Sequence, residues 1–340
     1  MWCTLPESPR WLITKGRRED GKNILGKINP TFDAPTLEST VTEIEKSSKV
    51  PQEKQGINFS RLRLPIAIAF LVAFFNQLSG INAILGYAPR IFGMTGIDTS
   101  ASLINASLVT LVNLVFTLVG LRLIDKLGRR TLLYIGSFGY IISLGLCAWA
   151  FSAYKAPFDD AAAALSLKKA NAQVVSLTES AAPSEEIAVA KTALSAIIAA
   201  TPTQSSLTVP EGISGSALTT FAEDSIQAAK TKSGAGATIV LICILGFIAA
   251  HAVGQGAVIW VLISEIFPAN ARSFGQSLGC TTHWIFAALL TQFFVPATAS
   301  FTPTQIFGFF CFMMVLHLIW VKLMVPETKN RTLEDLSTSL

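Results

Sequence analysis

In the stretch FFNQLSGINAILGYAPRIF, residues 74–92, Asn76, Gln77, Ser79 and Asn82 sit among apolar neighbours. A primary amide offers two N–H donors and a carbonyl acceptor, so a group of amides can hold hydroxyls without a countercharge. The chemistry these residues suit is recognition of an uncharged polyol. Asn113, Trp260, His283 and Trp284 are further polar or aromatic groups in apolar runs. Trp260 lies deeper than an interfacial belt residue and is expected to face a cavity. Gly254 and Gly256 flank Gln255 just before it, where glycines permit close helix approach or bending. The bland readings stand beside these. A lone Asn in an apolar helix is often interhelical glue. His251, His283 and His317 read first as neutral, hydrogen-bonded imidazoles, with His283 kept as a candidate for its aromatic neighbour.

A second constellation is charged. DKLGRR holds Asp125, Arg129 and Arg130, and SEIFPANAR holds Glu265 and Arg272. Arginines in such short loops can be topological markers. With acids beside them they can also form an ion-pair latch that releases when helix bundles part. No H-E-x-x-H, P-loop or G-x-S-x-G motif is present, and no His/Cys set has metal spacing. Cys3, Cys147, Cys243, Cys280 and Cys311 show no paired spacing and read as inert thiols. An enzyme, a bound metal and a cofactor are therefore not expected.

Elements that could position these groups follow from composition. Of the 340 residues 51% are hydrophobic and 14% charged, with a mean hydropathy of +0.51, against about a quarter charged in soluble domains. Six stretches are apolar over the roughly 20 residues that a spanning helix needs. They fall at about 64–88, 102–124, 131–154, 236–264, 272–296 and 304–325. The expected fold is all-α, a polytopic membrane bundle of six helices in a lipid bilayer. The net charge of +4 lies in loops and gives nucleic-acid binding little support. Basic residues at 10–27, 126–130, 272 and 329–331 fall on one side if the spans alternate, which makes that side and both termini cytoplasmic. Residues 13–60 read as a polar segment of short cytoplasmic helices, broken at Pro30, Pro35 and Pro51. Residues 155–235 read as an extracytoplasmic Ala/Ser-rich insertion, loosely packed or serving as a lid, with helices near 160–178 and 184–200. PESPR at 6–10 and PETKNR at 326–331 echo one another, so residues 1–12 read as the end of a helix absent from this chain.

PESPRWL, NQLSGINAILGYAPRIF, DKLGRRTLL, WVLISEIFPANAR and PETKNRTLEDL, in this order, resemble the sugar porter family of the major facilitator superfamily. The resemblance covers the cytoplasmic linker and the second six-helix half, with spans 61–154 and 236–325 as that family's helices seven to twelve. It implies a monosaccharide substrate, a cell (inner or plasma) membrane location, and a complementary N-terminal half, encoded separately or missing. It also implies that Gln77, Asn82, Asn113 and Trp260 contact the sugar, joined by Asn76, Gly256, His283 and Trp284, and that Leu85 and Tyr87 form an extracellular gate. The cytoplasmic charge network would comprise Glu7, Arg10, Asp125, Arg129, Arg130, Glu265, Arg272 and Glu327. The family's usual Gly-Pro-Gly-Pro is here Gly254-Gln255-Gly256-Ala257, so a family-like kink is not expected there. His283 stands where many glucose transporters have Asn.

The resulting expectation is transport of a neutral monosaccharide by alternating access, by a C-terminal half that does not transport alone. The rivals are a nontransporting sugar-sensing receptor and a nonfunctional remnant. One geometric demand follows. On an ideal helix Gln77 and Asn82 point ~140° apart. Gly80 and Gly86 must therefore bend or unwind the helix for both amides to reach one cavity, with Pro89 loosening its outer end.

Overall fold

The computed structural model describes residues 6–30, 32–49, 59–60, 62–97, 99–268 and 270–329. Cys3, Pro51 and Arg331 fall outside them. All regular structure among the described residues is helical, in two compact units, Met1–Phe59 and Ser60–Leu340.

The first unit holds α1 (Pro9–Thr14), α2 (Arg18–Ile28) and α3 (Ala34–Lys49). Ile13, Leu25, Val41 and Ile44 form its small core. Pro35 does not break the chain, as the sequence led us to expect. It lies in the first turn of α3, where a missing N–H costs nothing. Arg18 joins Glu38 and Glu45, and Lys22 reaches Glu38 at 2.5 Å.

The second unit begins with α4 (Arg63–Leu78), α5 (Ile81–Gly86) and α6 (Ala88–Gly93), pieces of one interrupted rod, followed by α7 (Thr99–Leu127) and α8 (Arg129–Ala153). After α9 (Lys155–Glu179), α10 (Ser184–Gln204) and α11 (Gly215–Ser233) come α12 (Gly236–Val253), α13 (Gln255–Ile266), α14 (Arg272–Ser300) and α15 (Pro303–Met324). Six segments among the described residues are long and apolar enough to cross a membrane: 63–86, 103–127, 129–153, 236–266, 272–300 and 303–324. The chain is an all-α polytopic membrane protein. α7 illustrates why, exposing Leu103, Ile104, Leu111, Leu114, Leu118 and Leu121 along one face, an apolar stripe that suits an apolar environment and not water.

α8 packs against α12 and α15, and α14 against α4. Small residues set the α8–α12 distance. A β-carbon built on Gly254 would lie 2.7 Å from the Gly136 Cα, and one on Gly139 would lie 2.5 Å from the Ala250 Cβ, the close approach typical of membrane helices. α15 starts on a capping box: Thr302 Oγ1 accepts from the Gln305 N–H, and Gln305 Oε1 accepts from the Thr302 N–H.

Residues 155–233 form a helical layer with its own packing. Ala164, Leu165 and Ile226 are buried together, with Leu207 against them. Buried Asp160 accepts from the Ser206 N–H at 2.8 Å and from its hydroxyl. The first turns of α9 tie the layer down. Tyr154 and Phe158 crowd Gly236, and Ala161 packs on Gly96, leaving no room for a β-carbon there.

Candidate functional site

The Gly80 break organises the amides. Gly80 takes the left-handed φ of +86°, which an L-residue with a β-carbon avoids. Ser79 bridges the gap: its hydroxyl donates to the Asn76 carbonyl at 2.6 Å and accepts from the Ile81 N–H at 3.3 Å. The Phe310 ring fills the space beside the glycine. α5 thus starts on a new azimuth, and Asn82 Nδ2 donates to Gln77 Oε1 at 2.7 Å. Gln77 Nε2 donates to Asn76 Oδ1 at 2.9 Å and lies 3.0 Å from His283 Nδ1 and 3.2 Å from its Nε2. A neutral imidazole accepts there through whichever nitrogen carries no proton.

Within this cluster Gln77 and Asn76 are buried, whereas Asn82, His283 and Trp260 are half-exposed. His283 lies between two tryptophans, 5.1 Å from the Trp260 ring centroid and 5.2 Å, edge-on, from that of Trp284. Trp284 itself is 67% exposed. Gln276, unremarked in the sequence, donates to the Trp260 carbonyl at 3.1 Å. Gly256 abuts His251, whose carbonyl would lie 3.0 Å from an added β-carbon. Asn113, half-exposed on α7, has its carbonyl bonded to Thr117, and no hydrogen bond among the described residues joins its side chain to the amides.

At the end of this rod farther from Arg63, Gly86 closes α5 and Pro89 stands in the first turn of α6. Between them Tyr87 stacks on Phe294 at 5.1 Å and donates to the Thr291 carbonyl at 3.2 Å. Leu85 is half-buried.

The charged groups gather where α8 begins. Arg129 grips Glu265 with two bonds, Nη2 to Oε1 at 2.7 Å and Nε to Oε2 at 3.1 Å, and reaches Asp125 at 3.3 Å. The Glu327 carboxylate accepts from the Arg129 N–H at 3.0 Å and the Arg130 N–H at 3.2 Å, an anion on the first turn of a helix. Thr328 donates to Glu265 at 2.6 Å. Arg130 donates to the Lys322 carbonyl at 2.8 Å and lies over the Tyr134 ring. Two groups stand apart. Arg272 opens α14 with its Nε buried and without a hydrogen-bond partner among the described residues, and Glu7 pairs with Arg17 at 3.2 Å inside the first unit. Arg10 is exposed.

The sequence reading missed a second buried network, Ser137–His317–Gln255–Tyr140–His251, contributed by α8, α12, α13 and α15. It surrounds a break at Gly254 (φ −86°, ψ −104°). The missing prolines spoke only against a family-like kink, and the break rests on glycine, one of the two roles read for Gly254 in the sequence.

Residues 1–167 and 212–340 match the family described as Sugar (and other) transporter. The unmatched interval takes in the second half of α9, all of α10 and most of the following loop. Similar proteins include the probable inositol transporter 2 of Arabidopsis thaliana, 28% identical over 99% of this chain and 60% of its own length. The arabinose-proton symporter of Bacillus subtilis (strain 168) is 27% identical over 98% of this chain and 54% of its own. Among solved structures, the proton:xylose symporter XylE bound to 6-bromo-6-deoxy-D-glucose matches at 25% identity with a TM-score of 0.58. That match covers 99% of this chain and 55% of the other. The chain spans between 54% and 60% of the length of these proteins.

Proposed function

Because the chain belongs to the Sugar (and other) transporter family, we propose that its bundle binds a neutral monosaccharide and takes part in moving it across a membrane by alternating access. The observation that carries this reading is the amide chain across the Gly80 break. Gln77 and Asn82, opposed on a regular helix, are hydrogen-bonded at 2.7 Å. In this reading Gln77 and Asn76 stand behind and fix the geometry. Asn82, whose second amide hydrogen and carbonyl have no partner among the described residues, meets sugar hydroxyls, while His283 and Trp260 form the adjoining wall. An aromatic wall beside convergent amides suits an apolar sugar face edged by hydroxyls. Relatives named for arabinose, xylose and inositol, all uncharged polyols, support the same class. Asn113, Gly256 and Trp284 are assigned to the rim of this site, and Leu85 and Tyr87 to its extracellular gate.

The Arg129–Glu265–Glu327 cluster, with Asp125 and Arg130, is assigned to the cytoplasmic face of a cell membrane, by the excess of basic residues there. Arg272, Glu7 and Arg10 are assigned to the same face. Alternating access moves one bundle against another around a midplane site. The transport step is therefore assigned to this bundle working with a complementary six-helix bundle, whereas sugar binding is assigned to the chain itself.

The test is titration of the chain in lipid nanodiscs with arabinose, xylose, glucose and inositol. Saturable binding of at least one is expected. At about 1 kcal/mol for each neutral hydrogen bond, Gln77→Ala with Asn82→Ala should raise its Kd roughly thirtyfold. Undiminished binding by a folded double variant refutes the site.

A further inference from the structure

Gln255 is the first residue of α13, immediately after the Gly254 break, and its side chain is fully buried. Its carboxamide is held on both sides. Tyr140 donates to Oε1 at 3.4 Å, and Nε2 lies 3.0 Å from His317 Nε2. Farther out, Tyr140 Oη is 2.6 Å from His251 Nδ1, and His317 Nδ1 is 2.8 Å from Ser137 Oγ. The Ser137 hydroxyl donates to the Leu133 carbonyl at 2.7 Å.

One assignment of protons satisfies all of these contacts. Ser137 has a single hydroxyl proton, used on Leu133, so its oxygen accepts from His317 Nδ1–H. Gln255 Nε2 can only donate, so His317 Nε2 accepts, and His317 is a neutral imidazole protonated at Nδ1. With the Tyr140 proton on Gln255 Oε1, His251 donates to Tyr140 Oη. The donors then run in one direction, from His251 through Tyr140, Gln255, His317 and Ser137 to Leu133. No member needs a charge, so the chain fits an apolar interior where a half-satisfied network would be costly.

We infer that Gln255 is a positioning residue: its pinned carboxamide sets the direction of α13, and with it the placement of Trp260 in the sugar site and Glu265 in the charge cluster. Helix breaks commonly rest on proline. Here two touching glycines, Gly136 and Gly254, create the gap, and Gln255 gives it a fixed angle through α8 and α15. Trp260 follows five residues along the same short helix and Glu265 ten, so a change at its first residue re-aims both. The inference rests on the sugar-binding reading for its effect on affinity, but not for its effect on geometry.

The experiment uses the chain in nanodiscs with native cysteines replaced by alanine and spin labels on Ile242→Cys in α12 and Ser264→Cys in α13. Gln255→Leu removes both hydrogen bonds at similar volume. Gln255→Pro also removes them, yet stiffens the break. Position 255 is the first of a helix, where proline is favoured, and Gly254 lacks the β-carbon that a following proline crowds. The expected result is one narrow label distance in the unsubstituted chain and in Gln255→Pro, with a broadened or shifted distribution in Gln255→Leu. Sugar Kd should rise at least tenfold in Gln255→Leu and stay within threefold in Gln255→Pro. If Gln255→Leu fails to fold, Gln255→Met is read in its place. A narrow, unshifted distance in Gln255→Leu overturns the inference, as does sugar binding by Gln255→Pro as weak as that of Gln255→Leu. A chain that binds no sugar in any form sinks the proposed function alone, and the label distances still decide the role of Gln255.

Discussion

Gln77 spends both amide hydrogens, one on Asn76 and one on His283, and accepts from Asn82. A buried group so fully engaged is a brace, and its partners set its aim. Replacing His283 by Leu leaves an amide hydrogen without its acceptor in a buried setting, a loss of about 1–3 kcal/mol. We expect His283→Leu to raise sugar Kd about tenfold by calorimetric titration and His283→Asn, which restores an acceptor, to recover most of it. Unchanged affinity in His283→Leu would remove the imidazole from the site. The amides and His283 are conspicuous in sequence because a carboxamide in an apolar run is unusual. The Tyr140–Gln255–His317 contacts are not, since they join residues 62 and 115 positions apart, each with an ordinary explanation in its own helix. Arg272 shows the converse. Its loop made it a natural partner for Glu265, but Arg129 takes that carboxylate with two bonds.

Two of the six membrane-spanning segments are broken, and in both a glycine stands at the break. At Gly80 the requirement is double. A β-carbon there would meet both a left-handed backbone and the Phe310 ring at 2.6 Å. The backbone costs about 1–2 kcal/mol and overpacking about 1–3 kcal/mol. Gly80→Ala should therefore lower the thermal unfolding midpoint in detergent and abolish sugar binding. Adding Phe310→Leu should recover only part of the stability, because it relieves the crowding and not the backbone. Full recovery would show that the left-handed conformation is dispensable. This break was legible because two amides needed a common direction. At Gly254 the glycines signalled close approach or bending without deciding between them, and the structure shows both, with Gly136 of α8 against the break. Helices near 160–178 and 184–200 were legible from the Ala-rich composition, whereas no range was read for α11. The packed interior of residues 155–233 was not legible, since it rests on tertiary contacts such as Asp160 with Ser206.

At the scale of the whole molecule, the chain joins an apolar bundle to a small unit held together at its surface by charge. In that unit Lys22, and after it Arg18, hold the Glu38 carboxyl below its ordinary value of 4.5. A carboxyl depressed by folding contributes above its unfolded value and loses that contribution as pH falls through the folded one. Hydrogen-exchange protection of α2 and α3, corrected for intrinsic rate, should thus be constant near neutrality and drop below about pH 4.5. Glu38→Gln should flatten that drop, and an unaltered drop would assign the acid sensitivity elsewhere. The division between bundle and polar segment was legible from hydropathy alone, because lipid imposes a composition that no soluble unit shares.

The layer at 155–233 continues α8 with only Tyr154 between, and it presses Ala161 onto Gly96, just beyond α6. It is therefore a lever with two fulcrums, one at the end of the third membrane-spanning segment and one on the chain between the first two. α10 packs on α9, and the Ala161–Gly96 contact lies nine residues along the chain from Tyr87.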